Sequence, residues 1–392
     1  MKRSYAMKKD DDDIVIVSAL RTPMCRSRKG GLANVLPSTL FQTVLEATLQ
    51  ATQLPPRDVE DIVVGNVLMP PSGFAALRMA QIISGIPETT SLQTVNRQCA
   101  SGLQAVANVA NSIAANEIQI GIGAGVESMS LYPMNTIKPP QVDWETMQTS
   151  RTAMDCLLPM GITSETIVRK YGLKREDLDA FAVTSHKKAS AAQRSGKFSA
   201  EIVPVGDISQ DDGIRPDADS ATLARLKPAF SKSGVTTAGN SSQTTDGAAA
   251  VVLMKRKEAQ RRGLKIMGVW RGYATAGVPP QIMGIGPAVA IPKVLELTGL
   301  SKSDIDLFEI NEAFASQATW CVDELGLDWD KVNPNGGAIA LGHPLGCTGA
   351  RMVATLLHEL HRRKRRYGVI SMCIGTGMGA AAIIEAEPSS SL

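Results

Sequence analysis

The sequence predicts an α/β architecture with mainly parallel sheets, assembled from two similar lobes. Short β-branched runs alternate with segments of helical spacing. The two ends of the chain also repeat one order of elements, and a proline-rich, charged stretch lies between them.

The strand reading rests on four apolar runs: Ile14-Val15-Ile16-Val17, Ile62-Val63-Val64, Leu307-Phe308-Glu309-Ile310 and Val369-Ile370-Ser371-Met372. The helical reading is clearest after Cys99, where Leu103, Val106, Val109 (or Ala110) and Ile113 recur every three or four positions. Laying Cys99-Ala100-Ser101-Gly102 over Gly346-Cys347-Thr348-Gly349, an offset of 247 residues, puts Val106 on Val353, Ala107 on Ala354 and Gly121-Ile122 on Gly368-Val369. Upstream, Val44-Leu45-Glu46 recurs as Val294-Leu295-Glu296, and Asp61-Ile62-Val63 aligns with Asp306-Leu307-Phe308. Two copies of one lobe, facing each other, are the expected scaffold.

From Ser130 to Phe230 the pattern breaks. That stretch holds Pro133, Pro139, Pro140, Pro159, Pro204, Pro216 and Pro228 and one amphipathic segment, Arg175 to Ala192. It reads as an insertion leaning over the core, a place for a substrate-binding cap. The expected division is therefore a flexible arm (1–12), an N-terminal lobe (13–129 and 231–262), the inserted loop domain (130–230), a C-terminal lobe (263–387) and a tail (388–392).

Bulk composition narrows the function classes. A chain of 392 residues suggests two or three domains. Hydrophobic content of 44% with 20% charged residues suits a soluble globular protein, and a net charge of +3 implies neither nucleic acid nor an anionic membrane. Six scattered cysteines point to a reducing compartment rather than a disulfide framework, and without Cys-x-x-Cys or Cys/His clusters no metal site is expected. No apolar run reaches the roughly 18–20 residues that span a bilayer. Met1 to Asp13, with four cations followed by four aspartates, reads as a solvated arm rather than a secretory or mitochondrial leader. Ser390-Ser391-Leu392 is only loosely similar to a peroxisomal tripeptide and reads as a serine tail.

Two cysteines and one histidine carry the chemistry. Cys99 sits among small residues directly before the helical pattern, where unpaired N–H groups and the helix dipole would stabilise a thiolate and lower its pKa; the competing reading is a buried structural cysteine. His343, in Gly342-His343-Pro344-Leu345-Gly346, lies on a glycine-rich loop suited to a base. His186, His358 and His361 fall on helix-like segments and read as capping or surface residues. Cys373 ends a strand and enters Gly375-Thr376-Gly377-Met378-Gly379, whose N–H groups could form an oxyanion hole. Asn311, just past a strand, is placed to position a water or a carbonyl, or else to cap a helix. The run His361 to Arg366 reads as a solvated helix C-terminus. Two thiols and an imidazole suffice for acyl transfer.

Together Asn96-Arg97-Gln98-Cys99-Ala100-Ser101-Gly102, Asn311-Glu312-Ala313-Phe314, Gly342-His343-Pro344-Leu345-Gly346 and Cys373-Ile374-Gly375-Thr376-Gly377 resemble the thiolase family over nearly the whole chain. Within it, Pro159-Met160-Gly161-Ile162-Thr163 and the segment Gly342 to Arg351 are similar to the peroxisomal 3-ketoacyl-CoA thiolases. The resemblance implies a five-layered α-β-α-β-α fold of two similar halves plus a loop domain, a homodimer, and peroxisomal β-oxidation of fatty acids. It implies CoA as co-substrate and no tightly bound cofactor. It assigns Cys99 as nucleophile, His343 as its base, Cys373 as the second acid–base, Asn311 as holder of a water, and Gly375 with Cys99 as an oxyanion hole. It also places CoA near Met160, Arg215, Thr222, Ala238 and Ser242. Acetoacetyl-CoA-forming relatives commonly carry histidine where this chain has Pro159, which favours the degradative type over an acetyl-CoA acetyltransferase.

Overall fold

The computed structural model describes residues 9–136 and 139–387; most of the expected arm and the whole of the expected tail lie outside them. The first part of the chain forms β1 (Ile14–Arg21), β2 (Cys25–Arg26), α1 (Pro37–Thr52), β3 (Asp61–Gly65), α2 (Gly73–Ile83), β4 (Ser91–Val95), α3 (Ser101–Ala114) and β5 (Ile120–Ser128). Among the described residues five helices follow with no strand between them: α4 (Trp144–Met147), α5 (Arg151–Asp155), α6 (Met160–Tyr171), α7 (Arg175–Arg194) and α8 (Ser220–Ala224). Next come β6 (Thr245–Lys255), α9 (Arg256–Arg261), β7 (Gly268–Gly277), α10 (Gly286–Thr298), β8 (Leu307–Ile310) and α11 (Ala315–Glu324). The chain closes with α12 (Ala338–Leu341), α13 (Leu345–Arg363), β9 (Tyr367–Ile374) and β10 (Met378–Ala386).

Strand order is β4-β3-β5-β6-β1-β7-β10-β9-β8, with β2 on β6. The repeat is visible in it. The path β3-β5-β6-β1 and the path β8-β9-β10-β7 carry the same parallel and antiparallel steps, and they meet where Val15 and Ile16 of β1 pair with Val269 and Gly268 of β7. β5 opens at Ile120 and β9 at Tyr367, the same 247-residue offset seen in the sequence.

The expectation of mainly parallel sheets needs correction. Among the strands of the described residues only β3–β4, β3–β5 and β8–β9 pair in parallel; the other strand pairs are antiparallel. Helical crossovers make the parallel pairs, whereas β9 and β10 are joined by a three-residue turn that can only reverse direction. Both kinds of strand are buried on two faces here, so their apolar runs read alike.

Alternation along the strands builds the layers. Val15 and Val17 face Leu40, Phe41 and Val44 of α1, while Ile16 faces the opposite cluster with Leu103 and Val106 of α3 and Val353 and Leu356 of α13. On the other side Val369, Ala381 and Ile383 meet Ile291 and Val294 of α10, and Ile370, Met372 and Ala382 turn back to α3 and α13. Helices therefore flank and separate the two halves of the sheet, in the order α1/α2, sheet, α3/α13, sheet, α10/α11. Each such buried Leu, Ile or Val contributes about 1.5–3 kcal/mol. The central pair approaches unusually closely: a Cβ on Gly102 would lie 2.6 Å from the Gly346 carbonyl oxygen, and one on Gly349 would collide with the Leu103 backbone.

Where the expected arm meets the lobe, exposed Asp12 and partly buried Asp13 are both ion-paired. Asp13 pairs with Arg256 at 2.9 Å and Arg271 at 2.7 Å, and Asp12 with Lys257 at 2.9 Å. Cations on α9 and β7, remote in sequence, supply what composition alone read as solvation.

Candidate active site

Three loops converge where the two halves meet. The first follows β4. Gln98 takes a left-handed backbone (φ 47°), held by its N–H donating to Asn96 Oδ1 and its carbonyl accepting from the Ser101 hydroxyl at 2.6 Å. Ser101 also accepts from the Arg97 N–H at 2.8 Å. This lock places Cys99, half-buried, two residues before α3.

Cys373 lies at the end of β9, fully buried among Met283, Ala313 and Phe314 with Met160 packed beside them. Past it, the Gly375 N–H faces the Cys99 sulfur. A Cβ on Gly375 would lie 3.6 Å from the Met160 sulfur and 3.8 Å from Gln98 Cγ. The two thiols are close enough that a charge on Cys99 disfavours one on Cys373.

The third loop carries His343. Gly342 precedes it with φ +97°, and a side chain there would strike Thr245. The His343 N–H donates to the Gln243 carbonyl at 3.0 Å. Its ring is held at both nitrogens: Nδ1 lies 2.6 Å from Thr348 Oγ1, and Nε2 lies 3.3 Å from Asn311 Nδ2. Because the Thr348 hydroxyl donates to the Pro344 carbonyl, it accepts from Nδ1–H. Nε2 is then the lone-pair nitrogen, and the Asn311 amide donates to it. Asn311 continues β8, its N–H donating to the Ser371 carbonyl at 2.9 Å. Its Oδ1 is buried with no hydrogen-bond partner among the described residues. It caps no helix, since Phe314 fills that position for α11.

Electrostatics reverse one expectation. Cys99 was expected to have a lowered pKa; instead burial, reinforced by the charge of Glu127, pushes its thiol up to about 11 despite the opposing N–H groups of Gly375 and Cys99 itself. Position before a helix is not enough when the sulfur is desolvated. Burial, with the Arg351 charge adding to it, drives His343 down to about 3, so its imidazole is neutral. Cys373 is held well above the ordinary thiol range, first by burial and then by Cys99. The resting site thus holds a neutral thiol and a neutral base. Iodoacetamide inactivation through Cys99 is expected to keep accelerating beyond pH 9; a rate already level at pH 7 would contradict this.

The expected CoA contacts divide into two groups. Met160 and Ser242 lie at the catalytic loops, Ser242 donating its N–H to the Ala313 carbonyl at 3.0 Å. Arg215, Thr222 and Ala238 are exposed, and among the described residues no hydrogen bond joins them to Cys99, His343, Asn311 or Cys373. His186 is buried rather than on the surface, its Nδ1 accepting the Arg215 N–H at 3.1 Å. His358 and His361 turn their Nε2 atoms to the carbonyls of Ala19 and Met267.

Sequence reading missed Glu312 and Thr348. Glu312, buried, accepts from Ser185 (2.7 Å), Asn333 (2.8 Å) and the Ile339 N–H (3.2 Å), tying the Asn311 loop to the glycine-rich segment. Thr348 is five residues from His343 across a helix start, a spacing with no periodic signal. Among the described residues no cluster of His, Cys, Asp or Glu could hold a metal, and no helix is long and apolar enough to cross a membrane.

Comparison with known proteins identifies this arrangement. The thiolase N-terminal domain matches residues 14–257 and the thiolase C-terminal domain matches residues 264–386. The chain belongs to the thiolase family. It is 55% identical over 387 residues to the peroxisomal 3-ketoacyl-CoA thiolase A of Mus musculus, a match covering 95% of this chain and 91% of that one. Its fold is similar to the dimeric peroxisomal thiolase of Saccharomyces cerevisiae, with a TM-score of 0.93, 45% identity, and coverage of 97% of this chain and 99% of that one. It is also similar to the human mitochondrial 3-ketoacyl-CoA thiolase in complex with CoA (TM-score 0.88, 36% identity, 96% and 98% coverage). The α-β-α-β-α layering described above is thus that of a thiolase.

Proposed function

We propose that this thiolase is a 3-ketoacyl-CoA thiolase, an acetyl-CoA C-acyltransferase of fatty acid β-oxidation. The observation that carries the reading is the meeting of Cys99 and Gly375 with the buried second thiol of Cys373, together with a His343 ring fixed as a neutral base. In the first half-reaction His343 Nε2 takes the Cys99 proton as the sulfur attacks the 3-keto carbon. Neither group need ionise beforehand; proton transfer accompanies attack, which suits a desolvated thiol. The bond between C2 and C3 then breaks, leaving an acyl thioester on Cys99 and the enolate of acetyl-CoA. Cys373 donates its proton to the enolate carbon, and acetyl-CoA leaves.

In the second half-reaction Cys373 removes the proton of an incoming CoA thiol. The CoA sulfur attacks the acyl group, the bond to Cys99 breaks, and the departing Cys99 sulfur takes back the proton held on His343 Nε2 as the product acyl-CoA, two carbons shorter, departs. The Gly375 and Cys99 N–H groups serve the oxyanion on the acyl carbon. His343, with a water accepted by the open Oδ1 side of Asn311, serves the enolate oxygen. CoA is a co-substrate, with Met160 and Ser242 near its reactive end and Arg215, Thr222 and Ala238 along its length.

The chain acts as a homodimer in the peroxisome, in keeping with the peroxisomal relatives and the dimeric yeast structure. The outer edge of β4 and exposed Met79, Ile82 and Ile83 on α2 offer a surface for the second copy. Steady-state rates with acetoacetyl-CoA and with a long-chain 3-ketoacyl-CoA test the function. Turnover of both is expected; refusal of the long substrate would instead favour an acetyl-CoA acetyltransferase.

A further inference from the structure

One buried carboxylate near the site has no part in the steps above. Glu127, at the end of β5, is fully buried. Its Oε2 accepts the N–H groups of Val67 at 3.0 Å and Gly346 at 2.9 Å. Its Oε1 accepts the Leu68 N–H and the Asn66 side-chain amide, both at 3.1 Å. All four donors are neutral amides, so the carboxylate is held without a salt bridge.

The Gly346 bond matters most. Gly346 lies in the first turn of α13, and Pro344, the residue in the N-cap position, offers no side-chain cap. Glu127 supplies that cap from a neighbouring strand, with its charge against the positive end of a 19-residue helix. This same helix start carries His343 immediately before it and Thr348 within it. It is also seated tightly: a Cβ on Gly346 would come within 2.7 Å of Asn66 Cα and of the Gly65 carbonyl oxygen. Across the helix pair, the Gly346 carbonyl abuts Gly102 in the first turn of α3, the turn that Cys99 leads into.

We propose that Glu127 is a positioning residue for acyl transfer, fixing the His343-bearing start of α13 against the Cys99-bearing start of α3. The proposal rests on Cys99 and His343 carrying the reaction. Two thiols face the carboxylate electrostatically, Cys99 before α3 and Cys347 on α13, and its charge raises both. Burial, partly offset by the four donors, moves the Glu127 carboxyl itself up to about 7.

Glu127→Gln keeps the volume, removes the charge, and turns one acceptor into a donor facing N–H groups. Thiolysis rates, KM for CoA, and the pH profile of Cys99 alkylation by iodoacetamide are to be compared with the parent enzyme. The expected result is a loss of about ten- to a hundredfold in kcat, from displaced reacting groups, with KM for CoA within about twofold. The alkylation profile should move to lower pH because the neighbouring negative charge is gone. A merely structural role would lower thermal stability and leave kcat of the folded enzyme at the parent value. Should the glutamine variant not fold, Glu127→Asp retains the charge one methylene short and is expected to lose kcat with the alkylation profile in place. Parent-like kcat and alkylation profile in a folded variant would overturn the proposal. Failure of the parent enzyme to cleave 3-ketoacyl-CoA or to acylate Cys99 would overturn the functional reading instead.

Discussion

Cys99→Ala is expected to abolish thiolysis, by a factor of about 10⁴ or more, while CoA still binds with the affinity of the parent enzyme. The sulfur is the only atom lost, and it is the atom that would carry the acyl group between two half-reactions. No other thiol can replace it. Cys25, Cys321 and Cys347 are buried, Cys373 is buried and held protonated, and half-buried Cys156 is turned to the Thr152 and Thr376 carbonyls. The turn itself should survive, since Asn96 and Ser101, not the thiol, hold Gln98 in its left-handed conformation. Steady-state assay and calorimetric CoA titration of the same preparation check this. A variant that lost CoA affinity along with turnover would mean that the site had been misassigned or had collapsed.

Cys373→Ser is expected to separate the half-reactions. The hydroxyl preserves shape but neither gives nor takes a proton readily, so the enolate is quenched only slowly and the incoming CoA thiol is not deprotonated. Given a 3-ketoacyl-CoA, the variant should accumulate acyl-Cys99 and stop, at least about a hundredfold below parent turnover. The burial of Cys373 among Met283, Ala313 and Phe314 keeps bulk water from substituting for it. Rapid-quench mass spectrometry reads the trapped thioester directly. Parent-like turnover would remove Cys373 from the proton-transfer role.

Much of this was legible before any coordinate. The Cys99 turn, the glycine loop around His343 and the Cys373 strand end each combine a reactive side chain with small neighbours, and the 247-residue offset exposed the duplicated lobe. What escaped was set by distant packing. β6 and β10 carry the runs Gly247-Ala248-Ala249-Ala250 and Gly379-Ala380-Ala381-Ala382, which dilute their β-branched residues and hide them as strands. The sign of the Cys99 shift escaped because a helix start is visible in sequence, whereas desolvation and the nearby Glu127 are not. Thr348, which selects the His343 tautomer, and Glu312, which braces Asn311, act through contacts across loops that no periodicity announces. The aspartates at 12 and 13 read as solvated for the same reason, their partners lying more than 240 residues away.

The central claim is that Cys99 passes through a covalent acyl state. Intact mass of the protein after mixing with acetyl-CoA, followed by peptide mapping, tests it most directly. One added acetyl group on the peptide bearing Cys99, removed again by free CoA, is the predicted result. No adduct, or an adduct on another cysteine, would contradict the account.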